Sequence, residues 1–332
     1  MKAVQYFHFG LAADVAEVVE VADPGAPGPG ELIIDVLASP VHPSEFLNFE
    51  GRFGSYAPPL PAFAGGEAVG RVAALGEGVS HLAVGDRVLT QYAGRGSWRE
   101  RIKTSAQGMF RLPDDVDPLQ LAMLAVNPAT AWNMLDKFVA LQPGDWVLQN
   151  AGNSSVAYNV IQLARRLGVH TVNIVRREDQ VAAIIARGAD AVVVDGPDLP
   201  ARISTAVDGS PISLAFDAVA GSSTRDLANA VSPGGTVVIY GILSGGKSDL
   251  DATDILFRDV SLRGFWLTVW FKMTASDEKQ KLYEKLAKLM IDGTIDIPIE
   301  ATYPMSRVKE ALAHAARPGR SGKILLTMND TA

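Results

Sequence analysis

Apolar and polar positions change their spacing along this chain. In the first third, short runs of apolar and β-branched residues, Glu31–Ala38, Ala68–Leu75 and Asp86–Thr90, lie between Pro27-Gly28-Pro29-Gly30, Gly65-Gly66 and Gly76-Glu77-Gly78. Runs of this kind between turn-formers predict strands, and their spacing predicts a compact, mostly antiparallel β domain. From Pro118 the spacing turns helical, with Leu119, Leu121, Ala122, Leu124 and Ala125 apolar in a helix expected to reach Lys137. Strands and helices then alternate. Strands are expected at Trp146–Asn150, Thr171–Val175, Ala191–Val194, Leu214–Val219 and Thr236–Tyr240, and helices at Val156–Leu167 and Gln180–Arg187. Strands apolar on both faces belong to a parallel sheet covered by helices on both sides. The expected fold class is therefore α/β, with a doubly wound Rossmann-type unit over residues 123–269 and a β domain over 1–122. Helices at Glu278–Ile291 and Met305–Ala316 and a strand at Lys323–Met328 are expected to complete the first domain from the segment 270–332.

Composition narrows the chemistry. The 332 residues carry 30 Lys plus Arg against 37 Asp plus Glu, a formal charge of −7, with no basic run. An acidic surface of this kind disfavours nucleic acid as a partner. There is no cysteine, so disulfides, thiolate zinc sites, iron–sulfur clusters and a Cys nucleophile are impossible. The histidines, His8, His42, His81, His170 and His314, form no closely spaced pair, and no metal site is expected. No apolar run reaches the roughly 18 residues of a membrane span. The start, Met1-Lys2-Ala3-Val4-Gln5-Tyr6, lacks the apolar stretch of a signal peptide. A soluble, cytoplasmic protein without a membrane partner is expected.

The strongest chemical signal is the strand–turn–helix Val147-Leu148-Gln149-Asn150-Ala151-Gly152-Asn153-Ser154-Ser155-Val156-Ala157. Small residues after a buried strand let the backbone approach a pyrophosphate, and the following helix N-terminus offers unpaired N–H groups to it. Ser155 and Ala157 stand where glycine is common, so the bare pattern is weak and its position opening a βαβ unit carries it. The next strand ends in Val175-Arg176-Arg177-Glu178. An acidic side chain there would hold a ribose 2′-OH, whereas guanidinium groups fit a 2′-phosphate. The expected cofactor is NADPH. Tyr240-Gly241-Ile242-Leu243 and Phe265-Trp266-Leu267 follow later strands and are candidates to frame the nicotinamide, with core packing as the alternative for the aromatics.

The chain resembles the medium-chain dehydrogenase/reductase superfamily across essentially its whole length, and within it the zinc-independent branch of mitochondrial-type trans-2-enoyl thioester reductases and quinone oxidoreductases. Val41-His42-Pro43-Ser44-Glu45, Val126-Asn127-Pro128-Ala129-Thr130-Ala131, Leu141 to Val156 and Arg263-Gly264-Phe265-Trp266-Leu267 carry the likeness. The resemblance implies a GroES-like β-barrel domain beside the Rossmann domain. It implies NADPH contacts at Asn127 and Thr130, at Asn153, Ser154, Ser155 and Val156, and at Arg176, Arg177 and Glu178. It also implies them at Tyr240, Gly241, Ile242 and Leu243, at Phe265, Trp266 and Leu267, and at Lys323. It implies a homodimer joined through the edges of the Rossmann sheets.

Zinc-dependent members use a Gly-His-Glu motif and cysteines, where this chain has Gly65-Gly66-Glu67 and none. Without a Lewis acid, a conjugated acceptor is easier to reduce than an alcohol is to oxidise, because its enolate oxygen needs only hydrogen-bond donors. The expected activity is NADPH-dependent reduction of an α,β-unsaturated carbonyl compound, such as an enone or a 2-enoyl thioester. The alternatives are an NADPH:quinone reductase and a non-catalytic NADPH-binding protein. Those thioester reductases carry a Tyr in a Gln-Gly-x-Tyr segment, and this chain reads Glu50-Gly51-Arg52-Phe53-Gly54-Ser55-Tyr56. Phe53 has no hydroxyl, so Tyr56, His42 or water is expected to supply the proton.

Overall fold

A computed structural model describes residues 1–53, 56–90 and 96–328 of the chain. They divide into two compact units, Met1–Val126 with Phe271–Ala332, and Asn127–Trp270.

The first unit is built on β1 (Lys2–Tyr6), α1 (Ala12–Val15), β2 (Glu17–Glu20), β3 (Glu31–Pro40), α2 (Pro43–Phe49), β4 (Ala62–Phe63), β5 (Val69–Leu75), β6 (Arg87–Leu89), β7 (Arg101–Ser105) and α3 (Pro118–Leu121). Its sheets are largely antiparallel. One runs β2-β1-β4; the other is organised on β3, which pairs with β5 and β7. β3 buries Leu32, Ile33, Ile34 and Val36, so it is a central strand whose two faces are covered. The aromatic core stacks Tyr6, Phe49 and Trp98, with ring centroids 4.6 and 6.2 Å apart along the series.

The second unit runs α4 (Asn127–Lys137), β8 (Trp146–Gln149), α5 (Ser155–Leu167), β9 (His170–Val175), α6 (Val181–Ala186), β10 (Ala191–Val194), α7 (Leu199–Ala206), β11 (Ile212–Asp217), α8 (Ser222–Ala230), β12 (Thr236–Ile239), α9 (Ala252–Arg258) and β13 (Ser261–Gly264). Its sheet is parallel throughout, in the order β10-β9-β8-β11-β12-β13. The chain winds outward from β8 in one direction, then returns to β11 and winds out in the other. The strand C-termini therefore share one edge, and the switch point lies between β8 and β11. In open parallel sheets that is where ligands bind. Val147, Leu148, Val172, Leu214, Ala215, Val237 and Val238 are all fully buried, the two-sided burial that their sequence pattern predicts.

From α10 (Leu267–Met273) the chain re-enters the first unit as α11 (Ser276–Ile291), β14 (Ile299–Pro304), α12 (Val308–Ala315) and β15 (Lys323–Thr327). β15 pairs antiparallel with β3, matching Leu325, Leu326 and Thr327 to Pro40, Ser39 and Ala38. The unit's sheet thus joins strands from both ends of the sequence.

Two local expectations change. The single helix over Pro118–Lys137 is two. Asp117 caps α3 by accepting from the Leu119 N–H at 2.8 Å, and a fresh helix starts at Asn127 with Pro128 in its first turn. A proline lacks the N–H that a continuing helix needs and disfavours helical backbone in the residue before it. A strand before Phe265 is expected without bounds; the structure places it at Ser261-Leu262-Arg263-Gly264, a sheet edge with an exposed, polar pattern rather than an apolar run.

Candidate active site

In the second unit the βα turn is shaped by its small residues. Ala151 adopts φ +48°, and a Cβ on Gly152 would lie 3.0 Å from Asn173 Cβ and 3.1 Å from the Ile174 carbonyl oxygen. The turn therefore packs against β9 only with glycine at 152. Ser154 caps α5, its Oγ accepting from the Ala157 N–H at 3.2 Å. The first-turn amides of an α-helix have no intrahelical acceptor, so Ser155 and Val156 present donors at the positive end of a helix with no acidic side chain in its first turn.

Beneath the turn lies a buried polar hub that sequence reasoning missed. Asp217, fully buried at the end of β11, accepts from Asn150 Nδ2 at 2.6 Å, Thr224 Oγ1 at 2.7 Å, Val219 N–H at 2.8 Å and Ala220 N–H at 2.9 Å. Asn150 Oδ1 in return accepts from the Ala218 N–H at 2.7 Å. This ties the C-terminal ends of β8 and β11 together at the switch point. In the sequence Asn150 stands out only as part of the turn. A lone Asp at a strand end carries no sequence signal of its own.

The two arginines after β9 separate. Arg177 is held by Asp179 through Nε at 2.9 Å and a second nitrogen at 2.6 Å. Arg176 is exposed and has no hydrogen bond or ion pair among the described residues. Glu178 opens the short turn that leads into α6. At the end of β12, the Tyr240 N–H is bound by the Asp217 carbonyl oxygen at 2.9 Å, and the Leu243 N–H by that of Ala218 at 3.1 Å. A Cβ on Gly241 would stand 2.6 Å from the Ala218 carbonyl oxygen, so that loop also needs its glycine. Burial pushes the Tyr240 hydroxyl above its usual range, and the oxygen has no hydrogen-bond partner of ordinary geometry. Asn127 Nδ2 is likewise buried and unpartnered, and Thr130 is buried beside it on α4. Two orphaned polar groups and a Cβ-free cradle in one unit fit a dinucleotide. After β13, Phe265 packs edge-on against Phe138 with centroids 6.3 Å apart. Trp266 is 39% exposed, Ile242 39% and Leu243 52%, whereas Leu267 is buried. Within 265–267 the side chain open to solvent is Trp266.

In the first unit, His42, Glu67 and Lys323 form one buried cluster. Lys323 Nζ donates to the Val41 carbonyl oxygen and to His42 Nδ1, both at 3.0 Å. On the other side of the ring, His42 Nε2 donates to Glu67 Oε1 at 2.5 Å. Glu67 Oε2 accepts from the Val126 N–H at 2.8 Å. Burial, helped by the Lys323 charge, holds the His42 pKa below its usual value. The neutral imidazole is therefore the bridge between an ammonium and a carboxylate, and its one N–H is taken. Glu45, also buried, accepts from the Gly65 N–H at 3.3 Å. Tyr56 is 60% exposed, its backbone N–H bound to the Phe53 carbonyl oxygen at 3.1 Å. Gly54 and Ser55, which precede it, lie outside the described residues. The cluster was invisible in sequence because its members lie up to 281 positions apart.

Burial lowers the Lys323 pKa to about 8 from 10.5, with Arg320 adding to the shift and Glu67 and Glu45 opposing it. The folded value lies below the unfolded one. Below pH 8 both states hold the proton, and the cost of burying the charge is felt in full. Between pH 8 and 10.5 the folded chain sheds a proton that the unfolded chain keeps, so this cost fades as pH rises. Thermal unfolding of the wild type and of Lys323→Met should therefore differ by an amount that shifts in favour of the wild type across that window. A difference that stays constant with pH would show that Lys323 does not titrate there.

A doubly wound parallel sheet with a glycine-dependent βα turn, a free helix N-terminus and an unpaired arginine past the second strand defines a dinucleotide-binding protein. Residues 28–114 match the family described as the alcohol dehydrogenase GroES-like domain, and residues 156–288 the one described as zinc-binding dehydrogenase. The mitochondrial enoyl-acyl-carrier-protein reductase of Mus musculus is 34% identical over 333 residues, covering 99% of this chain and 89% of that protein. Among solved structures, a putative NADPH:quinone reductase from Bacillus thuringiensis aligns with a TM-score of 0.91 at 27% identity, covering 99% of each chain. The Etr1p complex with NADP and crotonyl-CoA aligns at 0.85 and 25%, covering 98% of this chain and 99% of that one. The chain belongs to the medium-chain dehydrogenase/reductase superfamily, in the family of these enoyl thioester and quinone reductases.

One family description names zinc. The chain contains no cysteine, and among the described residues no three His, Cys, Asp or Glu side chains come together. Where His42 and Glu67 meet, the third group is the Lys323 ammonium, which is no ligand. The donor set does not fit a zinc ion.

Proposed function

We propose that this protein is an NADPH-dependent oxidoreductase that reduces the activated C=C bond of an α,β-unsaturated carbonyl compound, with 2-enoyl thioesters as the leading substrate class. The observation that carries the cofactor is Arg176, unpaired where an NAD-dependent protein would place an acid. The acceptor class rests on the relationship to the enoyl reductases over nearly the whole chain.

When bound, NADPH supplies a hydride for the β-carbon of the acceptor, and the α-carbon takes a proton. The chain's own residues arrange the rest. The amides of Ser155 and Val156 with Asn153 and Ser154 receive the pyrophosphate, and Arg176 forks the 2′-phosphate. Arg177 is committed to Asp179 and shapes the turn, and Glu178 continues it. Tyr240, Gly241, Ile242 and Leu243 frame the nicotinamide together with Trp266, while Phe265 and Leu267 hold Trp266 in place by packing. Asn127 and Thr130 add buried polar groups to the same unit. Of the candidate proton donors, His42 has its N–H on Glu67 and so orients Lys323. Tyr56, with its exposed side chain, or water delivers the proton.

Reduction of quinones is the second reading. Phe53 in place of the hydroxyl-bearing residue favours it, because a quinone accepts hydride without a dedicated acid. We further propose a cytoplasmic homodimer. The exposed edge of β13 and the side chains of Ile255, Leu256 and Phe257 on α9, 54–77% exposed, support pairing along that edge. The Mus musculus relative is mitochondrial by name. Among the described residues no helix is long and apolar enough to cross a membrane.

A steady-state panel tests the reading. NADPH oxidation should be supported by crotonyl-CoA at a higher kcat/KM than by benzoquinone, and NADPH should be preferred to NADH by at least about tenfold. Tyr56→Phe should slow the crotonyl-CoA reaction and spare the quinone. Activity with benzoquinone alone would establish the second reading, and equal use of both nucleotides would remove the role of Arg176.

A further inference from the structure

Beside the pyrophosphate turn lies a second buried polar network, which shares no residue with the Asp217 hub. Gln149 at the end of β8, Asn173 in β9 and Asn159 in α5 are all fully buried. Asn173 Nδ2 donates to the Ala191 carbonyl oxygen of β10 at 3.1 Å and to Thr171 Oγ1 at 3.2 Å. Its Oδ1 accepts from Gln149 Nε2 at 2.6 Å. The same Gln149 nitrogen donates to the Ala157 carbonyl oxygen, in the first turn of α5, at 3.1 Å. Both ends of this series are backbone carbonyls, which only accept, so they fix the direction of both amides. Three neighbouring strands are thereby tied through side chains to the helix that follows the turn. Asn159 Nδ2 adds a bond inside that helix, to the Ser155 carbonyl oxygen at 2.7 Å.

Stability alone does not favour this arrangement. Gln149 Oε1 and Asn159 Oδ1 are buried without a partner among the described residues. A buried polar atom left in that state costs free energy that an apolar side chain of the same shape avoids. What the network does fix is a position. A glycine-rich turn sets its helix by letting the helix backbone approach the strand closely. Here Ala157 stands where glycine is common, and the Gln149 amide holds that residue to β8 instead. Gly152, earlier in the turn, abuts Asn173, whose Cβ would lie 3.0 Å from an added Cβ. One pair of side chains thus bears on the turn at Gly152 and on the helix at Ala157.

We propose that Gln149 and Asn173 are positioning residues for the cofactor: their amide pair holds the first turn of α5 where its free N–H groups meet the pyrophosphate. The proposal rests on the nucleotide site of the reading above. It assigns the affinity for the part that NADPH and NADH share to a side-chain strut, and leaves the 2′-phosphate to Arg176.

Gln149→Met, and the double variant that adds Asn173→Leu, separate position from stability. In Gln149→Met the Asn173 Oδ1 loses its donor in the core, so the Tm should fall by a few degrees. The double variant replaces both partners with apolar groups of similar shape, which should return the Tm to near the wild-type value. Affinity should not return with it. By calorimetric titration, both variants should bind NADPH and NADH about five- to tenfold more weakly than the wild type. With crotonyl-CoA or benzoquinone, whichever the wild type turns over, kcat at saturating NADPH should stay within about twofold. The ratio of the two nucleotide affinities should remain that of the wild type, unlike in Arg176→Asp. Recovery of affinity together with Tm in the double variant overturns the proposal. So does unchanged binding in both variants, a loss confined to NADPH, or a fall in kcat at saturation. A double variant that fails to fold also overturns it, since the fold is then what needs the pair. Wild-type protein that binds neither nucleotide overturns the cofactor reading itself, and this proposal with it.

Discussion

Replacing Arg176 with aspartate should weaken NADPH binding by roughly 1.5–3 kcal/mol, the worth of one charge-assisted contact, or about 10- to 150-fold in Kd, while NADH binding changes far less. The expectation is sharper than the sequence alone allows, because the structure separates two adjacent arginines. Arg177 already satisfies Asp179 through a two-pronged contact, and a side chain so engaged gains little by turning to a ligand. Arg176 has no such commitment. Arg177→Ala is therefore the control, with a small effect on NADPH. Titration of both nucleotides against both variants by fluorescence or calorimetry reads the result. A larger NADPH loss in Arg177→Ala than in Arg176→Asp would reverse the assignment.

Asp217→Ala should destabilise the protein more than any other single change considered. Its carboxylate satisfies an amide, a hydroxyl and two backbone N–H groups, all out of solvent. Each buried donor left unpaired costs about 1–3 kcal/mol, and the losses are not additive, so about 3–4 kcal/mol is expected in total. At roughly 3 °C per kcal/mol for a unit of this size, the Tm should fall by about 10 °C. NADPH should protect the variant less than it protects the wild type, since the same hub anchors the ends of β8 and β11 that carry the pyrophosphate turn. A loss of Tm below a few degrees would mean that water replaces the carboxylate.

What the sequence made legible follows from how local each feature is. The β8 turn and the arginines after β9 are recognisable because strand, turn and helix succeed one another within a few residues, and their chemistry is written in one stretch. Doubly wound topology follows from apolar strands that alternate with helices. The break before Asn127 was written in Pro128 but was overridden by the helical spacing around it. The Asp217 hub joins Asn150 to a residue 67 positions away. The His42–Lys323 contact spans 281. An isolated Asp, Glu or Lys gives no sign of being buried until the fold brings its partner, and the same His42 that looked like a proton donor is used up as a bridge. Its ring nitrogens are both occupied, so its part in the reaction is one of orientation.

The return of β15 to β3 has a bearing on biogenesis. The nucleotide-binding unit is one continuous stretch of chain, so it can collapse as it leaves the ribosome. Its companion cannot, because the ammonium that neutralises Glu67 and seats against His42 is translated almost last. Until Lys323 emerges, the nascent first unit holds two buried-to-be acids without their counter-charge and a central strand with an open flank. Such an intermediate is a natural client for holding factors, and a ribosome stalled in the final stretch of the message would leave behind a chain able to grip the nucleotide yet lacking a finished first unit.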